Sequence, residues 1–384
     1  MVIKNDKQTN NCKKSRERVP IKNTKLKMTK CESYTIPETM KRLVLTDPGD
    51  GTSVKTCKIE LETNAPVPKP ASGEVLVKMV AAPCNPSDYG SWRSANKKDC
   101  PRGIGNEGCG IVVATGCGVS TNFMFPVGTR VGVVEPKNNQ GTFSEYVCMS
   151  ASEGVFSLPD DLPLEDGASF FVNPYTTIAI LEDAKAAGCK SIVHTAAASQ
   201  LGQMMNKLVA EEKEGGWPAI INVVRRDEQA KLLTDLGAKH VVVTSHENWK
   251  EELKSKIEEL DCTMAYDAVS GDMTGDLLEC LPRRGTVKVY GGLAGKCKNI
   301  TPADLVYQEK EIHGFVLAKW IRQGGTLATI RRLMCAGKKV NAGLAGGWSS
   351  SQFKDTTPEN MYKDITDHLD SSITGVKLRL RFDK

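Results

Sequence analysis

The chain has 384 residues, 25% charged, 40% hydrophobic and 6% aromatic, which is enough for two domains with cores of their own and unlike a disordered or collagenous chain. The net charge of +5 is a local surplus: residues 1–30 hold ten Lys/Arg against Asp6 and Glu17, a balance of +8 that leaves −3 for the rest. No uncharged apolar run reaches the roughly 18 residues of a bilayer span, so no membrane span is expected.

Residues 1–39 read as a basic, Lys/Asn-rich tail without apolar periodicity, expected to be disordered. The tail lacks the apolar core of a secretory signal and matches an organelle presequence poorly, which points to a cytoplasmic protein and leaves organelle targeting open. Its one nearby aromatic, Tyr34, lies past the basic part, so no nucleic-acid partner is expected. After it, Lys41–Leu45, Glu74–Ala81, Gly110–Ala114, Arg130–Val134 and Phe143–Cys148 read as short strands, with turn chemistry over Asn64–Gly73. Residues 40–165 are therefore expected to form a small β-barrel domain.

From about residue 161 the rhythm changes. Ser191–Thr195 is a strand, and from Ser199 a helix places Leu201, Met204, Met205, Leu208 and Val209 on one face. Strand Ala219–Val224 follows, then helix Asp227–Leu236, stopped at Gly237 and read as capped by Asp227. His240–Val243, Trp249–Leu260, Thr263–Val269, Met273–Leu281 and Thr286–Tyr290 continue the alternation of strand and helix. That alternation implies an α/β, doubly wound parallel sheet of Rossmann type over 166–314. Segment 315–384 carries a helix, Thr326–Met334, and a strand, Thr374–Phe382, expected to return to the first domain.

Thirteen cysteines contain no C-x-x-C, and the five histidines contain no i, i+4 pair, so neither a zinc lobe nor a thiol-redox site is indicated. The chemistry concentrates in the first strand–turn–helix, His194-Thr-Ala-Ala-Ala-Ser-Gln-Leu-Gly202. Ala197, Ser199 and Gly202 stand where G-x-G-x-x-G needs small residues, so that Ala197, Ser199, Gln200, Leu201 and Gly202 can bring backbone N–H groups to a pyrophosphate. A plain helix start capped by Ser199 reads equally well from this segment alone. The next strand ends in Arg225-Arg226-Asp227, where an NAD site would carry a carboxylate. Two guanidiniums there suit the 2′-phosphate of NADPH, the alternative being a solvated pair.

Asn85-Pro-Ser-Asp88, Gly105-Asn-Glu-Gly108, Gly141-Thr-Phe-Ser-Glu-Tyr146, Asn173-Pro-Tyr-Thr176, the Ala/Ser/Gly turn and Tyr290-Gly-Gly292 together resemble the medium-chain dehydrogenase/reductase superfamily. Ile221-Asn-Val-Val-Arg225 and Gly314-Phe-Val-Leu-Ala-Lys-Trp320 are similar to its zinc-free quinone oxidoreductase and 2-enoyl thioester reductase branch. The resemblance implies a GroES-like catalytic domain, a Rossmann NADPH domain, a small-molecule substrate and a homodimer. At the three motif positions where zinc-dependent members carry ligands stand Asn85, Asn106 and Asn173, poor zinc donors, so no metal is expected.

The implied reaction is hydride transfer from NADPH to an activated C=C or a quinone, with hydrogen-bond donors meeting the developing oxyanion. Asn85 is the candidate donor, against an ordinary Asx turn, and Tyr89 the candidate acid, against a packing role. Trp320 would wall the substrate channel, against a place in the core. By the same resemblance Asn173, Thr176, Tyr290, Gly291, Gly292, Phe315, Leu317 and Lys377 would line the cofactor. The competing class is a non-catalytic NADPH-binding sensor or structural protein of the same fold.

Overall fold

A computed structural model describes residues 34–118, 124–212, 216–371 and 374–382. The expected tail, residues 1–39, lies almost wholly outside them. Among the described residues no helix is long and apolar enough to cross a membrane.

The second sheet is all parallel and runs His240–Val243, Ala219–Val224, Ser191–Thr195, Met264–Asp267, Thr286–Val289, Glu311–Gly314. In chain order this is 3-2-1-4-5-6, with a switch point between the first and fourth strands, where ligands bind outside the carboxyl ends. Its central strand, Ser191–Thr195, is buried along its whole length. Helix Val172–Ala186 explains the apolar stretch at 167–181, because it is buried nearly all round between this sheet and helix Gly325–Leu344.

The N-terminal half forms two antiparallel-rich sheets, one of Lys58–Pro66, Thr39–Asp47 and Arg102–Gly103, the other built round Glu74–Pro83. The strand Lys377–Arg381 enters that second sheet between Phe353–Thr356 and Glu74–Pro83. Three local readings change. Lys58–Pro66 is a strand that runs into the Asn64–Gly73 turn chemistry, with Ile59 and Leu61 alternating against Lys58, Glu60 and Glu62. Helix Thr326–Met334 extends over Gly325–Leu344, and helix Met361–Asp370 and strand Phe353–Thr356 follow it. Asp227 is the first helical residue rather than the cap; Arg226 holds that position, and the Asp227 carboxylate meets His246 at 3.0 Å.

At the carboxyl end of Met264–Asp267 the buried Asp267 accepts five hydrogen bonds from four donors. Thr195 Oγ1 and Thr274 Oγ1 donate at 2.8 and 2.7 Å, and the backbone N–H groups of Val269 and Ser270 close the turn at 2.8 and 3.2 Å. Thr195 in turn accepts from Ala268 N, which locks the first and fourth strands together at the switch point. Asp267→Ala leaves these donors buried and unpaired, and is expected to cost about 3 kcal/mol or more in urea unfolding.

Candidate active site

The turn after Ser191–Thr195 is tight. Ala196 takes a positive φ of 49°, and Ser199 Oγ caps the helix Gln200–Glu211 by accepting from Gly202 N at 3.3 Å. A Cβ at Gly202 would meet the Ala197 carbonyl oxygen at 2.1 Å, so only glycine lets the helix sit this close to the strand. Gly202 N and Gln203 N of the first helical turn are taken by the Ser199 hydroxyl and carbonyl, the latter at 2.9 Å. Gln200 turns its side chain outward to the C-terminal segment, donating to the Gly375 carbonyl and to that of Gln352. Arg225 and Arg226 lie at the tip of the next strand, Arg225 exposed and Arg226 half-buried, their backbone N–H groups held by Gln229 Oε1 at 3.0 and 3.2 Å.

The other expected cofactor residues divide. Gly291 and Gly292 follow the strand Thr286–Val289 at its carboxyl end; a Cβ at Gly291 would sit 2.7 Å from the Ala268 carbonyl, while Gly292 faces a cleft. Tyr290 turns back under the sheet, its hydroxyl 2.6 Å from Nε2 of the buried His194, with the rings stacked at 5.9 Å. Burial holds the His194 pKa down at about 4, so this imidazole is neutral. Thr176 bonds the carbonyl of Val172 at 2.6 Å in its own helix, beside the buried Asn173. Phe315 and Leu317 pack on the core, Phe315 edge-on to Tyr266. Trp320 lies in the short helix Leu317–Arg322 with its ring buried under the Arg332 guanidinium at 4.9 Å.

Asn85 and Lys377, 292 residues apart, meet in a buried polar cluster. Lys377 Nζ donates to Asn85 Oδ1 at 2.5 Å and to Ser169 Oγ at 3.0 Å. Asn85 Nδ2 donates to Glu107 Oε1 at 2.8 Å, and Glu107 Oε2 accepts from the backbone of Phe171 and Val172 at 3.0 Å each. Asp88 Oδ2 accepts from Asn85 N at 2.8 Å, and its Oδ1 has no hydrogen-bond partner. Asn85 is 1% exposed. Its carboxamide is therefore engaged at both ends inside the protein. Lys377, expected at the cofactor, is likewise 6% exposed and bonded inward.

Burial pushes the Glu107 carboxyl up and the Lys377 ammonium down, each opposed by the other's charge. Burial also lifts Asp88 to about 7, which suits a neutral carboxyl with one oxygen unpartnered. Tyr89 donates to the Cys84 thiol and packs edge-on against Trp92 at 5.5 Å; burial pushes its phenol well above the ordinary range, which weakens it as an acid. Beside it, Gly51, Gly90, Arg93, Ser94, Gly292, Gly295 and Lys296 line an open cleft of about 290 Å³. Both charged groups on its wall are cations.

Residues 71–160 match the family model for an alcohol dehydrogenase GroES-like domain, and residues 202–331 that for a zinc-binding dehydrogenase. A mitochondrial enoyl-[acyl-carrier-protein] reductase of Bos taurus is 31% identical over 294 residues, 74% of each chain. The chain belongs to the medium-chain dehydrogenase/reductase superfamily. A Mesorhizobium loti structure assigned as an NADPH:quinone reductase superposes with a TM-score of 0.77 at 29% identity, covering 91% of this chain and all of that one. The Escherichia coli quinone oxidoreductase complexed with NADPH shares the fold, with a TM-score of 0.72 at 20% identity over 89% of this chain and 99% of its own.

Zinc-dependent members of the superfamily place a metal where the Asn85 cluster lies. Here the residues do not fit one. Among the described residues no three His, Cys, Asp or Glu side chains converge on a point, and the Glu107 carboxylate already receives two backbone N–H groups and the Asn85 amide beside a lysine ammonium. Glu107 lies inside the Gly105–Gly108 motif and could have been picked out from it; Ser169 carries no signal in the sequence.

The raised Asp88 pKa has a pH consequence. Below about pH 4 the group is protonated in both folded and unfolded chains; between there and pH 7 only the unfolded chain releases the proton, so stability falls as pH rises, and above 7 the dependence ends. Asp88→Asn is expected to flatten this window by up to about 4 kcal/mol relative to the parent, read from urea midpoints at pH 4.5 and 7.5.

Proposed function

We propose that the protein is an NADPH-dependent, metal-independent reductase of an activated C=C bond, as in an enoyl thioester or enone, or of a quinone. The observation that carries this reading is the pairing of two anion sites on adjacent strands: the Gly202-packed helix start and, one strand over, Arg225 and Arg226. The helix N-terminus would hold the pyrophosphate, and a guanidinium in place of the usual carboxylate would hold a 2′-phosphate by charge-assisted bonds. The bound cofactor supplies hydride. The names of the bovine relative and the Mesorhizobium structure support both the acceptor classes and NADPH.

The chain's own residues would do three things. The cleft beside Gly292 admits the acceptor, and Arg93 and Lys296 give its wall a positive field suited to the negative charge that develops on oxygen. The Asn85–Glu107–Lys377 cluster acts from behind, fixing the segments that flank the cleft. Protonation after hydride transfer falls to solvent through the open cleft, because Tyr89 is bonded to Cys84. A homodimer through the strand Glu311–Gly314 is supported by that strand's unpaired outer edge and by the exposed Leu305, Val306 and Tyr307 next to it.

Fluorescence titration is expected to show NADPH binding at least about tenfold tighter than NADH, with the preference lost in the Arg225→Ala/Arg226→Ala double variant. Adding a quinone, an enal and an enoyl thioester in turn is expected to oxidise NADPH with one of them. Tight binding with every acceptor inert would replace the enzyme by a cofactor-binding sensor.

A further inference from the structure

Arg226 does not stand alone at the strand tip. Gln229 uses its Oε1 for the backbone N–H groups of Arg225 and Arg226, which leaves its Nε2 to donate to Thr374 Oγ1 at 3.0 Å. Arg226 Nη2 donates to the same hydroxyl at 3.2 Å. Thr374 belongs to a short strap that continues through Gly375, whose carbonyl accepts from Gln200, to Lys377 in the buried cluster. One strap thus touches the arginine at the strand tip, the helix start at the turn and the polar cluster at the cleft.

We propose that Thr374 is the positioning residue for the 2′-phosphate subsite: it pins the Arg226 guanidinium so that NADPH selectivity depends on the strap from the far end of the chain. The proposal rests on the reading of Arg226 as a phosphate ligand. A long arginine side chain at a strand tip samples many rotamers, and a ligand that must order it loses affinity accordingly. The bond from Arg226 to the Thr374 hydroxyl, itself held by Gln229, removes much of that freedom beforehand. The neighbouring Arg225 is exposed and serves as charge rather than geometry. Nothing in the cofactor other than the 2′-phosphate should sense the loss of the Thr374 hydroxyl.

Calorimetric titration with 2′,5′-ADP and with 5′-ADP tests this without turnover. Thr374→Val, which keeps the shape and deletes the hydroxyl, is expected to weaken 2′,5′-ADP about tenfold and leave 5′-ADP unchanged, and Thr374→Ser to restore the parent value. Equal weakening of both nucleotides in Thr374→Val would make Thr374 a structural anchor of the strap and overturn the proposal. So would an unchanged Thr374→Val beside an Arg226→Ala variant that loses 2′,5′-ADP binding. If Arg226→Ala and Arg225→Ala also bind 2′,5′-ADP as the parent does, the phosphate reading beneath the proposal falls with it.

Discussion

A lysine ammonium buried among an asparagine, a glutamate and a serine is the constraint on which the two halves of this protein depend. Burying Lys377 is costly unless its charge is met, and here Glu107 sits beside it while Asn85 and Ser169 accept hydrogen bonds from its ammonium. The four residues come from four separate stretches: the turn before helix Pro86–Arg93, the strand Glu107–Thr115, the approach to helix Val172–Ala186, and the strand Lys377–Arg381. Removing any one strands a charge or a polar atom inside the protein. Zinc-dependent relatives use a metal for a similar convergence, and the internal cation here serves the geometric part of that task without a coordination site.

The sheet order does the rest. In a 3-2-1-4-5-6 sheet the first two strands end side by side, so the helix start at Gly202 and the arginines at 225 and 226 fall along one line, and the Asp267 network fixes the neighbouring crevice. Polar groups also seal the other side of the sheet. Asp183 of helix Val172–Ala186 accepts from Tyr266 and Lys288 at 2.5 Å each, and Asn206 and Asn222 exchange reciprocal bonds at 2.8 and 3.0 Å. Such satisfied pairs favour one register of helix on strand over its neighbours.

Much of the fold was legible because periodicity is local. Ser191–Thr195 and Ala219–Val224 could be read to the residue, since buried parallel strands are continuous apolar runs closed by turn residues. Lys58–Pro66 was not, because its alternation spans only Lys58–Glu62 and its end is disguised as a turn. The tight turn after Ser191–Thr195 was legible in its small residues. The roles of Asn85 and Lys377 were not: which way a carboxamide points, and what an ammonium meets 292 residues away, depend on tertiary contacts that no spacing encodes. The surroundings of Trp320 were not legible either, since burial under Arg332 depends on the helix that follows it.

The insertion of Lys377–Arg381 between Phe353–Thr356 and Glu74–Pro83 has a consequence for biosynthesis. A ribosome delivers the Glu74–Pro83 strand early and its partner nearly three hundred residues later, so the first-made sheet waits with an open edge through most of translation. The parallel sheet, contiguous between residues 191 and 314, has no such wait. The half synthesised second can therefore be the first to close, and the half made first is completed only when its last strand arrives.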